Sequence, residues 1–466
     1  MSNYLIFLMI IHIIGLNTMT KIHARKQTDK FLSRLQQVEC PDTTFFADRF
    51  PIVMKRGNGM WIRDVDNNRY LDFTACFAVL ALGHRPKTSL TAIRKQAASL
   101  LHGMGDVHPT LAKIKLLELL AEISPFENAK SLLGQSGGDA IESAMKTAML
   151  ATGRKRFLSF SGGYHGLQFA PLVLNDREDF TRGFESWISG KTVTLPFPYF
   201  KSDLSSNQNH LTKDYLWTEH KLEQPEIVLQ QMEDELKKKE FAALIMEPFQ
   251  GRGGKRGFSA DFVKSCKELC KKYGTLLVFD EIYTGFGRTG KMFAYEHYNV
   301  IPDLLCVGKA MGGGLPISAC VGEILDVWGK SKGEARQTQT FLGNPLACAV
   351  AYETIKEIQN KLPLFQKELV QIDFIFQKFI SFMQKNGLSD RFPFEIRGKG
   401  FMRGVWFYTQ KEGFAVPMME ILLELGYIVL PEGPRADVLS LTPPLIAKSE
   451  HFEKILNALQ SELKKM

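Results

Sequence analysis

Short apolar runs alternate with amphipathic segments through the middle of the chain. The runs lie at 130–135, 156–160, 191–195, 241–246, 275–279, 303–307 and 317–321. Apolar positions three and four apart predict helices between several of them, as over 138–151 and 259–273. Strands that alternate with helices predict an α/β fold with a mostly parallel sheet of seven strands. The last two runs are too close for a helical crossover, so we expect that pair to be antiparallel.

The segments on either side of this region follow other patterns. Over 40–82, Gly and Asn positions separate short alternating apolar runs, which predicts short strands and turns. Beyond about 345, the pattern predicts a long helix over 346–385, strands within 394–408 and 427–442, and an amphipathic helix over 449–464. We therefore predict a second, smaller α+β domain with a boundary near 345.

The first nineteen residues are a separate case. Tyr4 to Leu16 is almost wholly apolar, but it is shorter than the ~20 residues that a membrane-spanning helix needs. No Lys or Arg precedes it and no small-residue cleavage site follows, so it is a poor secretory signal. We expect 1–19 to be an extension outside the mature protein, with Met19 as the working start. A targeting or membrane segment is the alternative.

Composition and charge narrow the class of protein. Of 466 residues, 45% are hydrophobic and 23% are charged, which is typical of soluble globular proteins and leaves room for a large core. The net charge is only +8, and no run of five Lys or Arg occurs, so we predict no nucleic-acid partner. The seven cysteines show no metal-ligand spacing, and Cys266 and Cys270 would share one helix face. We interpret this pair as core thiols rather than a metal pair, in a reduced, cytoplasmic protein without a metal site.

Unusual residues follow the predicted strands. Ligands of open α/β sheets bind beyond the carboxyl ends of the strands, and the residues found there are Ser136–Gly138, Ser161–Gly166, Glu247, Asp280 and Lys309. Two glycines that open a helix form either a tight turn or a phosphate site. Asp280 with Glu281 suits a cap or a metal pair, and Tyr164 suits a core position or a cofactor stack. Lys309 suits a surface position before a flexible loop, but at the end of an apolar strand we expect it to be partly buried, which would lower its pKa and favour Schiff-base chemistry.

One nucleotide-binding motif is incomplete. Residues 285–291 match GxxxxGK after a predicted strand, but Met292 stands where a phosphate-binding loop carries the Ser or Thr that binds magnesium. We therefore exclude a nucleoside triphosphatase.

Eight strings identify a family when they are taken together and in order. They are YLDF with ALGH (70–84), SGGDAIESAMKTA (136–148), FSGGYHG (160–166), EPFQGRGG (247–254), LLVFDEIYTGFGRTG (276–290), PDLLCVGKAMGGGLP (302–316), TFLGNPLACA (340–349) and IRGKGFMRG (396–404). From about Phe50 onward the chain resembles the class III pyridoxal-phosphate aminotransferases of the ornithine, acetylornithine and 4-aminobutyrate type. The resemblance implies fold-type I, with a large domain over 76–344, a small domain from 20–75 and 345–466, and a homodimer with active sites at the interface.

The resemblance also implies roles for single residues. Lys309 matches the lysine that holds pyridoxal 5′-phosphate and later moves a proton, and Asp280 matches the carboxylate that faces the pyridine nitrogen. Tyr164 matches the aromatic on one ring face. Further cofactor contacts are implied for Gly137, Gly138, His165, Ile282, Tyr283 and Thr340, the last toward the cofactor of the neighbouring subunit.

The implied substrate residues are Arg397, Glu247 and Phe77. Arg397 matches the arginine that holds the α-carboxylate of glutamate or 2-oxoglutarate, and Glu247 matches the glutamate that masks this arginine when an ω-amino donor enters. Phe77 stands where ornithine aminotransferases have tyrosine, which argues against ornithine. Other departures from the family pattern are Gly138 in place of Ser or Thr, Tyr283 in place of Gln and Arg252 in place of an acidic residue.

These residues predict a ping-pong transaminase that moves an amino group from an amine donor, with a terminal amine favoured, to an α-keto acid, with 2-oxoglutarate expected. A pyridoxal-phosphate-dependent aminomutase, epimerase or decarboxylase would share Lys309, Asp280 and Tyr164 and is the alternative. A non-catalytic scaffold is disfavoured because every catalytic position is filled. No membrane partner is expected unless residues 1–19 are retained.

Overall fold

The computed structural model describes residues 25–44, 52–199, 222–330, 333–408 and 412–466. The apolar extension at 1–19 lies outside these residues. Within the described ranges, no helix is both long enough and apolar enough to cross a membrane.

The predicted sheet of seven strands is confirmed. Its strands in chain order are β1 (Lys130–Gly134), β2 (Arg156–Phe160), β3 (Thr192–Leu195), β4 (Phe241–Met246), β5 (Leu276–Asp280), β6 (Leu304–Val307) and β7 (Ser318–Gly322). They lie side by side in the order β1-β7-β6-β5-β4-β2-β3. β7 is antiparallel to both of its neighbours, β6 and β1, and the other pairs are parallel. The short connection between β6 and β7 therefore has the antiparallel geometry that its length predicts.

The continuous apolar runs arise because this sheet is buried on both faces. Successive strand residues point to opposite faces, yet all six side chains of β4 are buried. β4 lies between β5 and β2, near the middle of the sheet. A strand in this position has no solvent-facing side and reads as an unbroken apolar run.

The two helices predicted beside the sheet have clear start and stop signals. Gly137–Thr152 begins at a capping box of Ser136 and Asp139 and ends at Gly153, which has a φ of 71°. Ala260–Tyr273 begins at Ser259 and ends at Gly274. Cys266 and Cys270 are buried on this second helix, which confirms their interpretation as core thiols. The seven cysteines, all within the described ranges, are free.

The C-terminal part contains the predicted long helix and a separate sheet. Pro345–Lys385 is one helix of 41 residues, and Ser449–Lys465 is the last helix of the chain. A four-stranded sheet has the order Phe394–Lys399, Met402–Phe407, Val438–Leu441 and Leu430–Glu432. Tyr427 of a further short strand, Tyr427–Ile428, pairs in parallel with Leu71 of Arg69–Asp72. Segments from both ends of the chain thus share a sheet, and the domain boundaries at 75 and 345 stay predictions.

The remaining elements are short. The other helices are Lys26–Val38, Lys87–Ala97, Leu111–Ile123, Phe169–Leu172, Glu178–Thr181, Glu185–Ile188, Pro225–Leu236, Leu388–Arg391 and Ala415–Glu424, with 3-10 turns at Ala294–His297, Lys309–Gly312 and Glu323–Trp328. The other strands are Met54–Asn58, Trp61–Asp64, Phe197–Pro198, Leu222–Glu223, Phe249–Gln250 and Arg256–Gly257. Ala75–Ala78 forms a turn in which all four residues have a positive φ between 47° and 67°.

The contacts divide the chain into two units. One unit consists of residues 63–69 and the described residues up to Arg56; the other holds residues 57–62 and everything from Tyr70 onward. In the first unit, the carboxylate of Asp66 accepts hydrogen bonds from the backbone N–H groups of Gln27 and Thr28. These bonds satisfy donors in the first turn of the Lys26–Val38 helix, which have no partner within the helix itself. The second unit contains the whole candidate site.

Candidate active site

A cavity of about 490 Å³ lies at the carboxyl ends of the parallel strands. Its lining residues follow β1, β2, β4, β5 and β6, as the position of unusual residues after these strands predicts. They are Ser136, Gly137, Gly138, Tyr164, His165, Gly166, Leu167, Gln168, Glu247, Arg252, Asp280, Ile282, Tyr283 and Lys309. Nine of the twelve site residues predicted from the sequence therefore share this cavity: Gly137, Gly138, Tyr164, His165, Glu247, Asp280, Ile282, Tyr283 and Lys309.

A buried ion pair lies at one side of the cavity. Oδ2 of Asp280 is 2.8 Å from Nδ1 of His165, and both side chains are almost completely buried. Oδ1 of Asp280 accepts a hydrogen bond from the backbone N–H of Ile282. Burial by itself lowers the pKa of His165, but the hydrogen bond to Asp280 and the charges of Asp280 and Glu247 outweigh it, so this pKa is raised. The environment therefore favours the imidazolium form, which keeps a positive partner on the Asp280 carboxylate.

Lys309 presents its amine to the same cavity. The residue follows β6 and begins a short 3-10 turn, with a φ of 43°. Its Nζ lies 4.2 Å from the centre of the Tyr283 ring. The pKa of Lys309 is lowered to about 8. Burial is the main cause and the charge of Lys255 adds to it, while Asp280 and Glu247 act in the opposite direction. The neutral amine, which is the nucleophilic form, is therefore accessible near pH 8.

A second buried lysine next to this site was missed by sequence reasoning. Lys255 is fully buried, and its Nζ lies 2.6 Å from Oε2 of Glu432 and donates to the hydroxyl of Tyr283 at 2.9 Å. Burial lowers the pKa of Lys255, but Glu432 and Tyr283 outweigh it, so the pKa is raised. The one sequence feature that could have pointed to Lys255 is its position directly after the family string EPFQGRGG. Its acidic partner, Glu432, lies far away in sequence, and no motif connects the two.

Glu247 links two loops at the cavity. Its Oε1 accepts from the backbone N–H of Tyr164, and its Oε2 accepts from that of Gly251, both at 2.9 Å. Burial raises the pKa of Glu247, with opposing contributions from His165 and the two backbone hydrogen bonds. The carboxylate thus holds the loop after β2 and the turn after β4 in a fixed relation.

Arg397 has a different partner from the one predicted. It lies on the strand Phe394–Lys399, with its Cζ 3.2 Å from the centre of the Trp406 ring and its Nε 3.4 Å from Oε1 of Glu395. The hydroxyl of Tyr408 donates to the other oxygen of Glu395. Arg397 lines a second cavity, of about 360 Å³, whereas Glu247 lines the first. In this structure the arginine is therefore paired with Glu395 and not with Glu247.

Two other predicted residues lie outside both cavities. Phe77 is 53% exposed within the left-handed turn Ala75–Ala78. Thr340 is exposed as well, next to Gln339, which accepts a hydrogen bond from the side chain of Gln135. A single chain thus leaves these two side chains available at its surface.

Within the described residues, one cluster outside the site has side chains of the kinds that bind metals. Asp72, Cys76 and His84 each place one potential ligand atom within 4.8 Å of the others. The Asp72 carboxylate already accepts from the backbone N–H and the hydroxyl of Thr74, and its second oxygen lies 2.9 Å from Nε2 of His84. These hydrogen bonds account for the geometry of Asp72 and His84 without an ion. The expected absence of a metal stays a prediction.

The cavity has the parts that a phosphorylated pyridine aldehyde requires. The helix Gly137–Thr152 points its N-terminus at the cavity, and its first backbone N–H groups suit a phosphate. A Cβ on Gly137 would lie 3.0 Å from the Ile282 side chain, and one on Gly138 would lie 1.8 Å from Gln168. Gln168 donates to the Ser136 hydroxyl, so its amide occupies the space that a Ser or Thr at position 138 would need. Lys309 offers the amine for the aldehyde, and Asp280 offers the carboxylate for the ring nitrogen.

Known proteins resemble this chain in sequence and fold. The family model described as aminotransferase class-III matches residues 46–463. The acetylornithine aminotransferase of Methanocaldococcus jannaschii is 32% identical over 90% of this chain and 95% of its own length. The alanine/serine racemase of Pyrococcus horikoshii is 33% identical over 89% of this chain and 86% of its own length. An amine transaminase from an uncultivated Pseudomonas species, solved with pyridoxal phosphate bound, is 25% identical with a TM-score of 0.78, over 92% of this chain and 98% of that one.

The sheet order, the family match and the solved neighbours show that this chain is a fold-type I pyridoxal-phosphate enzyme. More narrowly, the chain belongs to the class III aminotransferase family, and its cofactor is pyridoxal 5′-phosphate. The family resemblance, the fold class and the cofactor predicted from the sequence are thereby confirmed.

The lowered pKa of Lys309 predicts how cofactor-free protein takes up pyridoxal phosphate. Because only the neutral amine attacks an aldehyde, we expect the rate constant for covalent uptake to rise about tenfold per pH unit and to level off near pH 8. Stopped-flow absorbance of the cofactor measures this rate. In Lys255→Met the plateau should move to higher pH, because a positive charge that lowers the pKa of Lys309 is removed.

Lys272→Met is the matched control, since Lys272 is exposed and pairs with Glu233 on the surface. This variant should keep the plateau of the unaltered protein. A rate that continues to rise toward pH 10.5, the ordinary value for lysine, would contradict the assignment.

Proposed function

We propose that this aminotransferase moves an amino group from an amine donor to an α-keto acid by a ping-pong mechanism, with 2-oxoglutarate as the acceptor. The observation that carries the proposal is the convergence of Lys309, Asp280 and His165 on one cavity at the N-terminus of the Gly137–Thr152 helix. This arrangement places an amine base, Lys309, and a paired carboxylate, Asp280, at one cavity that a helix N-terminus also faces. Amino transfer needs both the base and the carboxylate.

The chain's own residues perform the proton chemistry. When bound, pyridoxal phosphate supplies the aldehyde that accepts the amino group and a ring that takes up electron density. Lys309 removes and returns the proton at the substrate carbon, and with a pKa of about 8 both of its forms are populated near neutral pH. His165 pairs with the Asp280 carboxylate at 2.8 Å and holds it where it would face the ring nitrogen. Tyr164 and Ile282 line the cavity and would hold the ring between them.

We assign the α-carboxylate of the keto acid to Arg397. The guanidinium is supported by the face of Trp406, and its Nε contact to Glu395 is long, at 3.4 Å. A bidentate carboxylate can compete with such a contact. Glu395, rather than Glu247, is then the group that masks the arginine when an amine without an α-carboxylate enters. Glu247 acts as the brace between Tyr164 and Gly251.

A racemase or epimerase is the second candidate, because a racemase is among the relatives. Inversion at the substrate carbon requires proton exchange on both of its faces. Burial raises the pKa of Tyr164, and the charges of Glu247 and Asp280 add to this against the opposing charge of Arg252. The phenol therefore stays protonated, which makes Tyr164 a poor base. This supports transamination, which needs one base only.

The test of the proposed function is a pair of half-reactions on the purified enzyme. Glutamate should bleach the absorbance band of the bound cofactor, and 2-oxoglutarate should restore it. A screen of amine donors with 2-oxoglutarate, scored by glutamate formed, then identifies the donor. In Lys309→Ala we expect turnover to fall by about a hundredfold or more, because general-base catalysis is lost.

Lys272→Ala is the control and should keep full turnover. A Lys309→Ala enzyme with unchanged turnover would refute the role of Lys309. Inversion of an amino acid without consumption of any keto acid would favour the racemase, and release of CO₂ would favour a decarboxylase. A band that other amines bleach but glutamate does not would refute the assignment of Arg397.

We further propose a cytoplasmic homodimer in which Thr340 of one chain reaches the cofactor phosphate of the other and Phe77 borders the substrate. Exposed apolar side chains support an interface; they include Leu100, Leu101, Met104, Val107 and Leu111. The exposure of Thr340 and Phe77 on the single chain is consistent with roles toward a partner. Seven free thiols fit a reducing compartment.

The proposed role of Thr340 is testable by mixing subunits. A heterodimer of a Lys309→Ala chain and a Thr340→Val chain contains one site with both residues intact, so we expect about half of the normal activity. Pairing an unaltered chain with a Lys309→Ala/Thr340→Val chain leaves no intact site and only one site with Lys309, so it should show about half of the activity of the Thr340→Val homodimer. Two differently tagged chains allow each heterodimer to be purified and assayed. Equal activity of the two heterodimers would show that Thr340 does not act across an interface.

A further inference from the structure

Arg252 is a cation in the wall of the cavity that holds Lys309. Its Cζ lies 5.2 Å from the centre of the Tyr164 ring and 5.5 Å from that of Phe180. These two rings meet edge to face, with their centres 5.6 Å apart. Stacking on aromatic faces supports a guanidinium while its N–H donors, which lie in its plane, stay available to an acceptor.

The backbone around Arg252 is held on three sides. The N–H of Gly251 donates to Glu247, and the carbonyl of Arg252 accepts from the N–H of Gly433 at 3.0 Å. A Cβ on Gly251 would lie 3.1 Å from the Tyr283 ring, so this side of the turn is closely packed. Because Glu247 also binds the backbone of Tyr164, the arginine and the ring beneath it are fixed to the same carboxylate. The position of the guanidinium at the cavity is therefore built into the fold.

The charge of Arg252 is not neutralised within the described parts of the chain, where no carboxylate lies within ion-pair distance of it. Two other buried basic groups already have partners: Lys255 pairs with Glu432, and Arg397 contacts Glu395. A guanidinium with aromatic support, a fixed backbone and open donors suits a planar anion that enters the cavity. The fork of N–H groups matches a carboxylate in particular.

We propose that Arg252 is a second carboxylate-binding residue and that it holds the carboxylate of the substrate that is remote from the reacting carbon. The substrates it selects are dicarboxylic keto and amino acids. The identity of the reacting end rests on the proposed function, in which Arg397 holds the α-carboxylate. Arg252 touches the substrate and determines specificity without taking part in proton transfer.

The first measurement is the binding of glutarate, a dicarboxylate without an amino or keto group, to the enzyme with its cofactor bound. In Arg252→Met, isothermal titration should show binding weakened about tenfold to a hundredfold, the usual effect of one charge-assisted contact. Arg252→Lys should recover part of this loss because it keeps the charge. Arg177→Met is the matched control: Arg177 also stacks on Phe180, at 4.9 Å, but pairs with Asp179 and does not line the cavity.

The second measurement is acceptor selectivity, the ratio of kcat/KM for 2-oxoglutarate to that for pyruvate, which lacks the remote carboxylate. Arg252→Met should lower this ratio about tenfold or more while leaving pyruvate nearly unchanged. An equal loss with both acceptors would overturn the assignment to the remote carboxylate. Unchanged glutarate binding in Arg252→Met, or no glutarate binding by the unaltered enzyme, would overturn the proposal itself.

Failure of the proposed transamination and failure of the proposed role of Arg252 would give different experimental results. An enzyme that transfers no amino group from any donor would refute transamination, yet glutarate binding would still report on Arg252. Conversely, normal transamination with unchanged glutarate binding in Arg252→Met would refute only the role of Arg252.

Discussion

The buried ion pair of Asp280 and His165 is the constraint on which the site depends. Asp280 ends a strand in the interior of the sheet, and His165 lies on the loop that follows β2. A carboxylate in so dry a place is stable only if it is paired and hydrogen-bonded, and here the imidazole and the N–H of Ile282 meet that need. The resulting charge partly offsets the effect of burial on Lys309, whose pKa settles at about 8. The pH range over which Lys309 can act as a base therefore depends on the pair of Asp280 and His165.

Glu247 and Lys255 extend the same electrostatic arrangement. Glu247 binds the backbone N–H groups of Tyr164 and Gly251. It therefore fixes the loop after β2 relative to the turn after β4. Lys255 adds a positive charge beside Tyr283 and is balanced by Glu432. Asp280, Glu247 and Lys255 each have an opposite charge or backbone donors, which is the condition for keeping charges inside a protein core.

Much of the fold and the main site residues could be predicted because they depend on local signals. The seven strands are unbroken apolar runs, and such runs arise when both faces of a strand are covered. Asp280 and Lys309 could be placed at one edge because parallel strands end on the same side of a sheet. Gly137 and Gly138 could be placed at the site by the same rule, because they follow β1 and open a helix. The structure adds that a side chain at either position would crowd its neighbours.

The choice of partners could not be predicted, because it depends on distances that arise only in the folded chain. Arg397 has acidic candidates at Glu247 and Glu395; the strand pairing that sets Glu395 opposite Trp406 brings both groups to the arginine. Lys255 and Glu432 are distant in sequence, and nothing local connects them. The fit of Gln168 against Gly138 is likewise a matter of packing. Family resemblance indicated which residues matter, and the three-dimensional arrangement determined what each one contacts.

We propose that Asp280, paired with His165, keeps positive charge on the ring nitrogen of the cofactor. The most direct test is the rate of the glutamate half-reaction in Asp280→Asn, measured with the natural cofactor and with an analogue methylated at that nitrogen, which is permanently charged. We expect Asp280→Asn to be slowed about a hundredfold or more with the natural cofactor and to recover most of this loss with the methylated one. Equal rates with the two cofactors in Asp280→Asn would contradict the account.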